Sequence, residues 1–358
     1  MNRSLFDQFT RLAEIDSPTG DEEEIGVYLM EWLERYDFFV VKDTVGNLYG
    51  WRDGQGDSFL FSGHQDTVEP GRGIKVELKE GIIRSTGKTI LGADNKASVA
   101  ALLHAIQNTS MADCRPIEVV LSVGEENGLA GIQQFDFTQI KSKLGVCFDK
   151  SAPLGTMVMQ SVGAMNFDGE IIGKAAHTGT PEKGINALEI GVQVLSEVKM
   201  GRNEDLLVNF SQINAGVCRN AVPDSFSFIC EVRGYDELVI QQKVEDLVDL
   251  FQDKSKAMGS RLVYKTEYVY PTYQHDTHSM NARYIEKMLT KHGCAIEHVI
   301  SGGSSDANFF NHNGISVYDL GDATINPHTT DERIALVDLE KMSQIMTRIM
   351  KDTGSVDD

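Results

Sequence analysis

Ile117-Glu118-Val119-Val120-Leu121-Ser122-Val123-Gly124-Glu125-Glu126 is an apolar, strand-like run that ends on two adjacent carboxylates. Four other segments end in the same manner. Phe59-Leu-Phe-Ser-Gly runs into His64-Gln65-Asp66, and Leu144-Gly-Val-Cys-Phe stops at Asp149. Thr89-Ile-Leu-Gly leads to Asp94, and Asn326-Pro327 leads to His328. Carboxylate and imidazole ligands, with no thiolate among them, thus sit just beyond short apolar runs. In an open α/β sheet the carboxyl ends of parallel strands converge on one crevice, where ligands bind. The pattern is that of a metallohydrolase.

Working outward, the first half alternates apolar runs with amphipathic stretches. Helices are expected at 22–35 and 95–107, and strands at 58–62, 117–123 and 144–148, which implies βαβ units and a mostly parallel sheet covered on both faces. The character changes near Gly163. A strand at 164–174, a helix at 186–200, strands at 208–215 and 226–233, a helix at 237–258 and a strand at 261–270 follow. That β-α-β-β-α-β order is the ferredoxin-like split unit. After Pro271 the α/β pattern resumes with a helix at 280–292 and a strand at 315–320. The expected fold is therefore α/β, a catalytic domain in two parts (1–163 and 272–358) with an inserted ferredoxin-like domain at 164–271.

The 358 residues suit about two domains, and a hydrophobic content of 41% suits a globular core. With 33 basic against 53 acidic residues the net charge is −20. That balance, without any basic cluster, argues against nucleic acid as a partner. No apolar run reaches the ~18 residues of a membrane span, and the first ten residues lack the apolar core of a secretory signal. Five cysteines without C-x-x-C spacing read as reduced thiols in a cytoplasmic protein.

Individual motifs carry less than their company. In His64-Gln65-Asp66 the outer residues face one side of an extended strand, so Asp66 can accept a hydrogen bond from the imidazole nitrogen that is not on a metal. Asp94 precedes a helix, where aspartate is an ordinary cap; Asn95 can serve as the cap instead, leaving both Asp94 oxygens for metals. Adjacent side chains beyond a strand end point different ways, so Glu125 and Glu126 can divide substrate and metal between them. Alone, His328 would be an ordinary surface histidine.

Together these residues resemble the two-zinc peptidase family that includes peptidase T, carboxypeptidase G and the aminoacylases. The likeness spans nearly the whole chain. Its carriers are Ser62-Gly-His-Gln-Asp-Thr-Val68, Gly92-Ala-Asp-Asn-Lys96, Gly124-Glu-Glu126, Asp149, Ala176-His-Thr-Gly179, Asn220-Ala-Val-Pro223, Gly302-Gly-Ser-Ser-Asp306 and Asn326-Pro-His-Thr329. The resemblance implies two Zn2+ per chain, with Co2+ or Mn2+ also suited to such ligands. His64, Asp94 and Asp149 would hold one ion, and Asp94, Glu126 and His328 the other. It further implies a metal-bridged water as nucleophile, Glu125 as general base, and Asp66 orienting His64. An aspartate at 149 resembles the peptide-cleaving members. Ser98 departs from the family's usual glycine, for which a local packing adjustment is expected.

In the inserted domain, taken as a lid and dimerisation domain, His177 would hydrogen-bond the tetrahedral oxyanion from the partner subunit of a homodimer. Arg233 and Asn220 would hold a substrate carboxylate, and Gly303 would contact substrate. The expected activity is a peptidase T-like aminopeptidase, a di- or tripeptidase acting on small peptides. The alternatives are an N-acyl-amino-acid amidohydrolase using the same centre and a non-catalytic zinc-binding relative. A pure binding site has no need of a base beside the ligands, so Glu125 argues against the last.

Overall fold

A computed structural model of the chain describes residues 3–203 and 205–354. It divides into two compact units: residues 1–160 with 274–358, and residues 161–273.

The first unit is built on a nine-stranded sheet. At its centre, Phe59–His64 lies between Ile117–Ser122 and Leu144–Lys150, parallel to both, and Ser316–Gly321 continues the parallel set beside Leu144–Lys150. All residues of Phe59–His64 and Ile117–Ser122 are buried, as expected where helices cover both faces and apolar runs are unbroken. The flanks are antiparallel: Leu48–Arg52 joins Ile117–Ser122, and Thr156–Ser161 joins Ser316–Gly321. The helix Ala93–Gln107 is buried nearly all round, packed against the central strand and the helices Arg3–Ala13 and Leu336–Lys351. Such a helix reads as uniformly apolar instead of striped.

The parallel strands all leave the sheet at the same end. His64 is the last residue of its strand, Glu125 and Glu126 follow Ile117–Ser122, and Asp149 is the next-to-last residue of Leu144–Lys150. A small sheet of Val76–Lys79, Ile82–Ser85 and Arg333–Ala335 lies apart from the main one.

The second unit carries a five-stranded sheet in the order Gly201–Asn203, Leu206–Ala215, Ser225–Gly234, Gly163–Ile172, Arg261–Tyr270, every pair antiparallel. Without its short first strand this is the split β-α-β-β-α-β arrangement. Helices Ala187–Glu197 and Glu237–Ala257 cover it, and Phe167, Phe226, Phe228 and Phe251 fill the interface. Phe228 and Phe251 stack with centroids 4.5 Å apart. Gly191 sits where the Phe226 ring meets its helix; a Cβ there would lie 2.6 Å from ring atoms.

Among the described residues no helix is long and apolar enough to cross a membrane.

Candidate metal centre

Strand exits bring the expected ligands of the first unit to one place. His64, 1% exposed, has Nε2 3.3 Å from Asp94 Oδ1 and 3.5 Å from Asp149 Oδ1. The second Asp94 oxygen, Oδ2, lies 3.3 Å from His328 Nε2, which is 2.8 Å from Glu126 Oε1. The order through space is therefore Asp149, His64, Asp94, His328, Glu126, with each oxygen of Asp94 facing a different imidazole. His64, Asp94 and Glu126 offer ligand atoms all within 4.8 Å of one another. Glu126 Oε1 is buried, with His328 Nε2 beside it.

The electrostatics point the same way. Burial pushes the Glu126 and Asp149 carboxyls upward, and Glu125 well upward with help from the charge of Asp149. Asp94 is held low: contacts with His328 and His64 outweigh its burial. The same Asp94 and Glu126 carboxylates lift His328 to about 10. Four carboxylates crowded into a buried site carry negative charge that the two imidazoles do not balance, and a donor set of oxygens and nitrogens suits divalent ions of the zinc, cobalt or manganese kind. The residues fit such a centre.

Asp66 faces His64, as the tripeptide suggests, and has further partners. It is fully buried, beyond the end of the strand. The nearest acceptor of the His64 Nδ1–H is the Asp66 main-chain oxygen, at 3.0 Å, with the carboxylate at 3.3 Å. That carboxylate accepts from Thr19 Oγ1 (2.8 Å) and from the peptide N–H groups of Glu125 (3.0 Å) and Glu126 (3.2 Å). Asp66 thus fixes the backbone that presents both glutamates.

Asn95 is not the helix cap. Gly92, in the left-handed region at φ +70, stands at the N-cap without any side-chain bond. Asn95 Nδ2 instead donates to Phe148 O (2.7 Å) and Asp149 Oδ1 (2.6 Å). The N–H groups of Leu91, Gly92 and Asp94, at the entry to the helix, are taken by Glu332, a residue whose role the sequence reading did not find. Its only local signal is an acidic side chain four residues beyond His328.

In the second unit, His177 and Asn220 lie on adjoining exposed turns, joined by a Thr178 N–H bond to Asn220 O of 3.1 Å. Gly179 N–H donates to His177 Nδ1 at 3.0 Å, leaving Nε2 outward of that bond. Arg233, on Ser225–Gly234, is engaged by Glu231 through two bonds of 2.8 and 3.0 Å. A substrate carboxylate would have to compete with that pair. Gly303, in the first unit, donates its N–H to Ser301 Oγ at 3.2 Å.

With this geometry in hand, similarities to known proteins can be placed. Residues 160–259 match the peptidase dimerisation domain of the M20 family. A tripeptidase from Staphylococcus aureus superposes with a TM-score of 0.91 at 29% identity, over 98% of each chain. The aminopeptidase PepT from Bacillus cereus does so with a TM-score of 0.90 at 29% identity, over 99% of each chain. The uncharacterized Bacillus subtilis protein YqjE is 29% identical over 98% of this chain and 99% of its own. The chain thus carries an M20 peptidase dimerisation domain and shares its whole fold with peptidases of the peptidase T type.

Proposed function

We propose that this protein is a divalent-metal aminopeptidase that hydrolyses small peptides, tripeptides or dipeptides, in the manner of its peptidase T-like neighbours. The observation that carries the reading is Asp94, whose two oxygens each lie 3.3 Å from a different histidine. His64, Asp94 and Asp149 would hold one ion and Asp94, Glu126 and His328 the second, with Zn2+ the first choice. When bound, two such cations polarise the scissile carbonyl and make the attacking water acidic near neutral pH.

The rest falls to the chain's own groups. Glu125 takes the proton of the attacking water on its carboxylate and returns it to the leaving amine. Asp66 holds the peptide groups of residues 125 and 126, so base and ligand keep a fixed separation. Asn95 restrains Asp149 through its Oδ1. His177 donates to the oxyanion of the tetrahedral species, supplied by the second subunit of a homodimer. Support for the dimer is the matched dimerisation domain and a sheet whose edge strands are Gly201–Asn203 and Arg261–Tyr270. Arg233, Asn220 and Gly303 form the substrate contacts.

The test is hydrolysis of a panel of di- and tripeptides and N-acyl amino acids by the full chain, with chelator and with added Zn2+, Co2+ or Mn2+. Metal-dependent release of N-terminal residues from free-amine peptides is expected. Turnover confined to acylated amino acids would replace the peptidase with a deacylase, and turnover unaffected by chelation would refute the metal centre.

A further inference from the structure

Glu332 is 1% exposed, and its carboxylate accepts hydrogen bonds from three main-chain N–H groups. Oε2 accepts from Leu91 and Gly92, each at 2.7 Å, and Oε1 from Asp94 at 3.0 Å. These are donors that the entry to helix Ala93–Gln107 leaves without intrahelical acceptors. Local sequence offers no substitute, since Gly92 has no side chain and Asp94 has the non-helical dihedrals φ −81, ψ 103. The helix that begins at the shared ligand is capped from more than two hundred residues away.

On its own side Glu332 closes the loop that carries His328. Its N–H donates to Thr329 O at 3.1 Å. Ile325 and Arg333 exchange main-chain bonds of 2.9 and 3.0 Å at the base of the loop, and Thr329 Oγ1 donates to Asn326 O at 2.9 Å. Asn326 and His328 sit at φ +55 and +59, a region that non-glycine residues seldom occupy and that needs support from around it. One buried side chain therefore joins the peptide of Asp94 to the loop of His328.

We propose that Glu332 is a positioning residue of the metal centre, setting the distance between the shared Asp94 carboxylate and the His328 imidazole. The proposal rests on the metal reading above. An amide at this position keeps one acceptor oxygen but turns an NH2 group toward at least one of the three donors. The Asp94 loop must then shift or leave a buried N–H unpaired. Residues that support ligands in this way typically change metal affinity by ~10–100-fold when replaced.

The experiment titrates Co2+ into the chelated full-length protein, following visible absorption and calorimetric heat. Glu332→Gln should bind Co2+ ~10–100-fold more weakly, with an altered absorption band. The control is Glu118→Gln. Glu118 is equally buried and accepts from Tyr49 Oη (2.5 Å), Lys141 N (3.0 Å) and Ser142 N (2.6 Å), but it lies at the end of its strand away from Glu125. It should lower thermal stability while keeping parental Co2+ affinity and spectrum. Glu332→Asp, which retains the charge but withdraws both oxygens by one methylene, carries the same expectation should the amide not fold. Parental affinity and spectrum in either folded Glu332 variant would overturn the proposal, as would equal losses in the Glu118 control. Failure of the unmodified protein to take up Co2+ would instead overturn the metal reading, and the proposal with it.

Discussion

Replacing Asp66 with Asn changes little volume but alters the acceptor set of the most connected carboxylate near the centre. Three donors converge on it: Thr19 Oγ1 and the N–H groups of Glu125 and Glu126. Hydrogen bonds to a charged group contribute ~1.5–3 kcal/mol each, and an abandoned buried donor costs ~1–3 kcal/mol. The amide can satisfy at most part of the set, so a loss of about 2–4 kcal/mol in stability is expected. The nearest acceptor for His64 Nδ1 is the Asp66 main-chain oxygen at 3.0 Å, which the substitution leaves in place. The damage should therefore fall on the segment presenting Glu125. With saturating metal, kcat should drop by ~10²-fold or more, approaching the ~10²–10⁴ lost when a positioned base is removed. Thr19→Val, which removes one donor and spares both peptides, should cost less in turnover and in unfolding midpoint. The assay is kcat and KM on a tripeptide across a metal titration, with urea unfolding alongside. If excess metal restored parental kcat in Asp66→Asn, the residue would act through His64 and metal affinity, and the reasoning here would fail.

Glu125→Ala should keep both metals and the fold yet lose most turnover, whereas Glu126→Ala should lose metal by elemental analysis; the reverse pattern would exchange their roles. Mixing His177→Ala with Glu125→Ala under verified subunit exchange should partly restore activity, because one hybrid site regains both groups; no recovery would place His177 within its own chain or outside the reaction. Gly191→Ala gains ~1 kcal/mol in helix propensity but drives a Cβ to 2.6 Å from the buried Phe226 ring. Overpacking costs ~1–3 kcal/mol, so a lower unfolding midpoint is expected, and a higher one would show the ring yields freely. Burial holds His275 down at about 4, against the pull of its bond to Val317 O. Its neutral ring therefore favours the folded state fully above pH ~6.5, the ordinary histidine value, and that contribution fades as pH falls from there to about 4. The urea midpoint of chelated His275→Gln should accordingly vary less over that window than the parent's, and equal slopes would refute the assignment.

The candidate ligands at strand exits were legible because burial on both faces makes the central strands mostly apolar. Phe59–His64, Ile117–Ser122 and Leu144–Lys150 are the clearest such runs, and the first imidazole or carboxylate side chains at or after their carboxyl ends are His64, Glu125, Glu126 and Asp149. The inserted unit was legible for a related reason. Ser225–Gly234 alternates buried and half-buried residues along its length, the period of a sheet covered on one face. Strands without either signature were missed. Phe39–Lys42 is exposed or half-exposed at every position, and Gly201–Asn203 is three residues long. The latter also explains why the expected helix at 186–200 stops at Glu197: Val198 is already extended, leading into the hairpin.

What sequence reading could not reach are partners made by folding alone. Asn95 has the composition of a cap and the position of one, and local propensity assigns it there. Tertiary placement wins instead, because Phe148 and Asp149 arrive beside it from 53 and 54 residues away and offer two acceptors at once. Once Asn95 is committed to Asp149, the helix start needs another acceptor, and Glu332 supplies it across 238 to 241 residues. The two substitutions of partner are linked: the side chain that would cap the helix restrains one ligand, and the side chain that does cap it comes from the loop of another. A candidate centre whose residues are scattered over the chain is held in shape by contacts equally scattered, so its candidate ligands can be proposed from a motif while the groups that space them cannot.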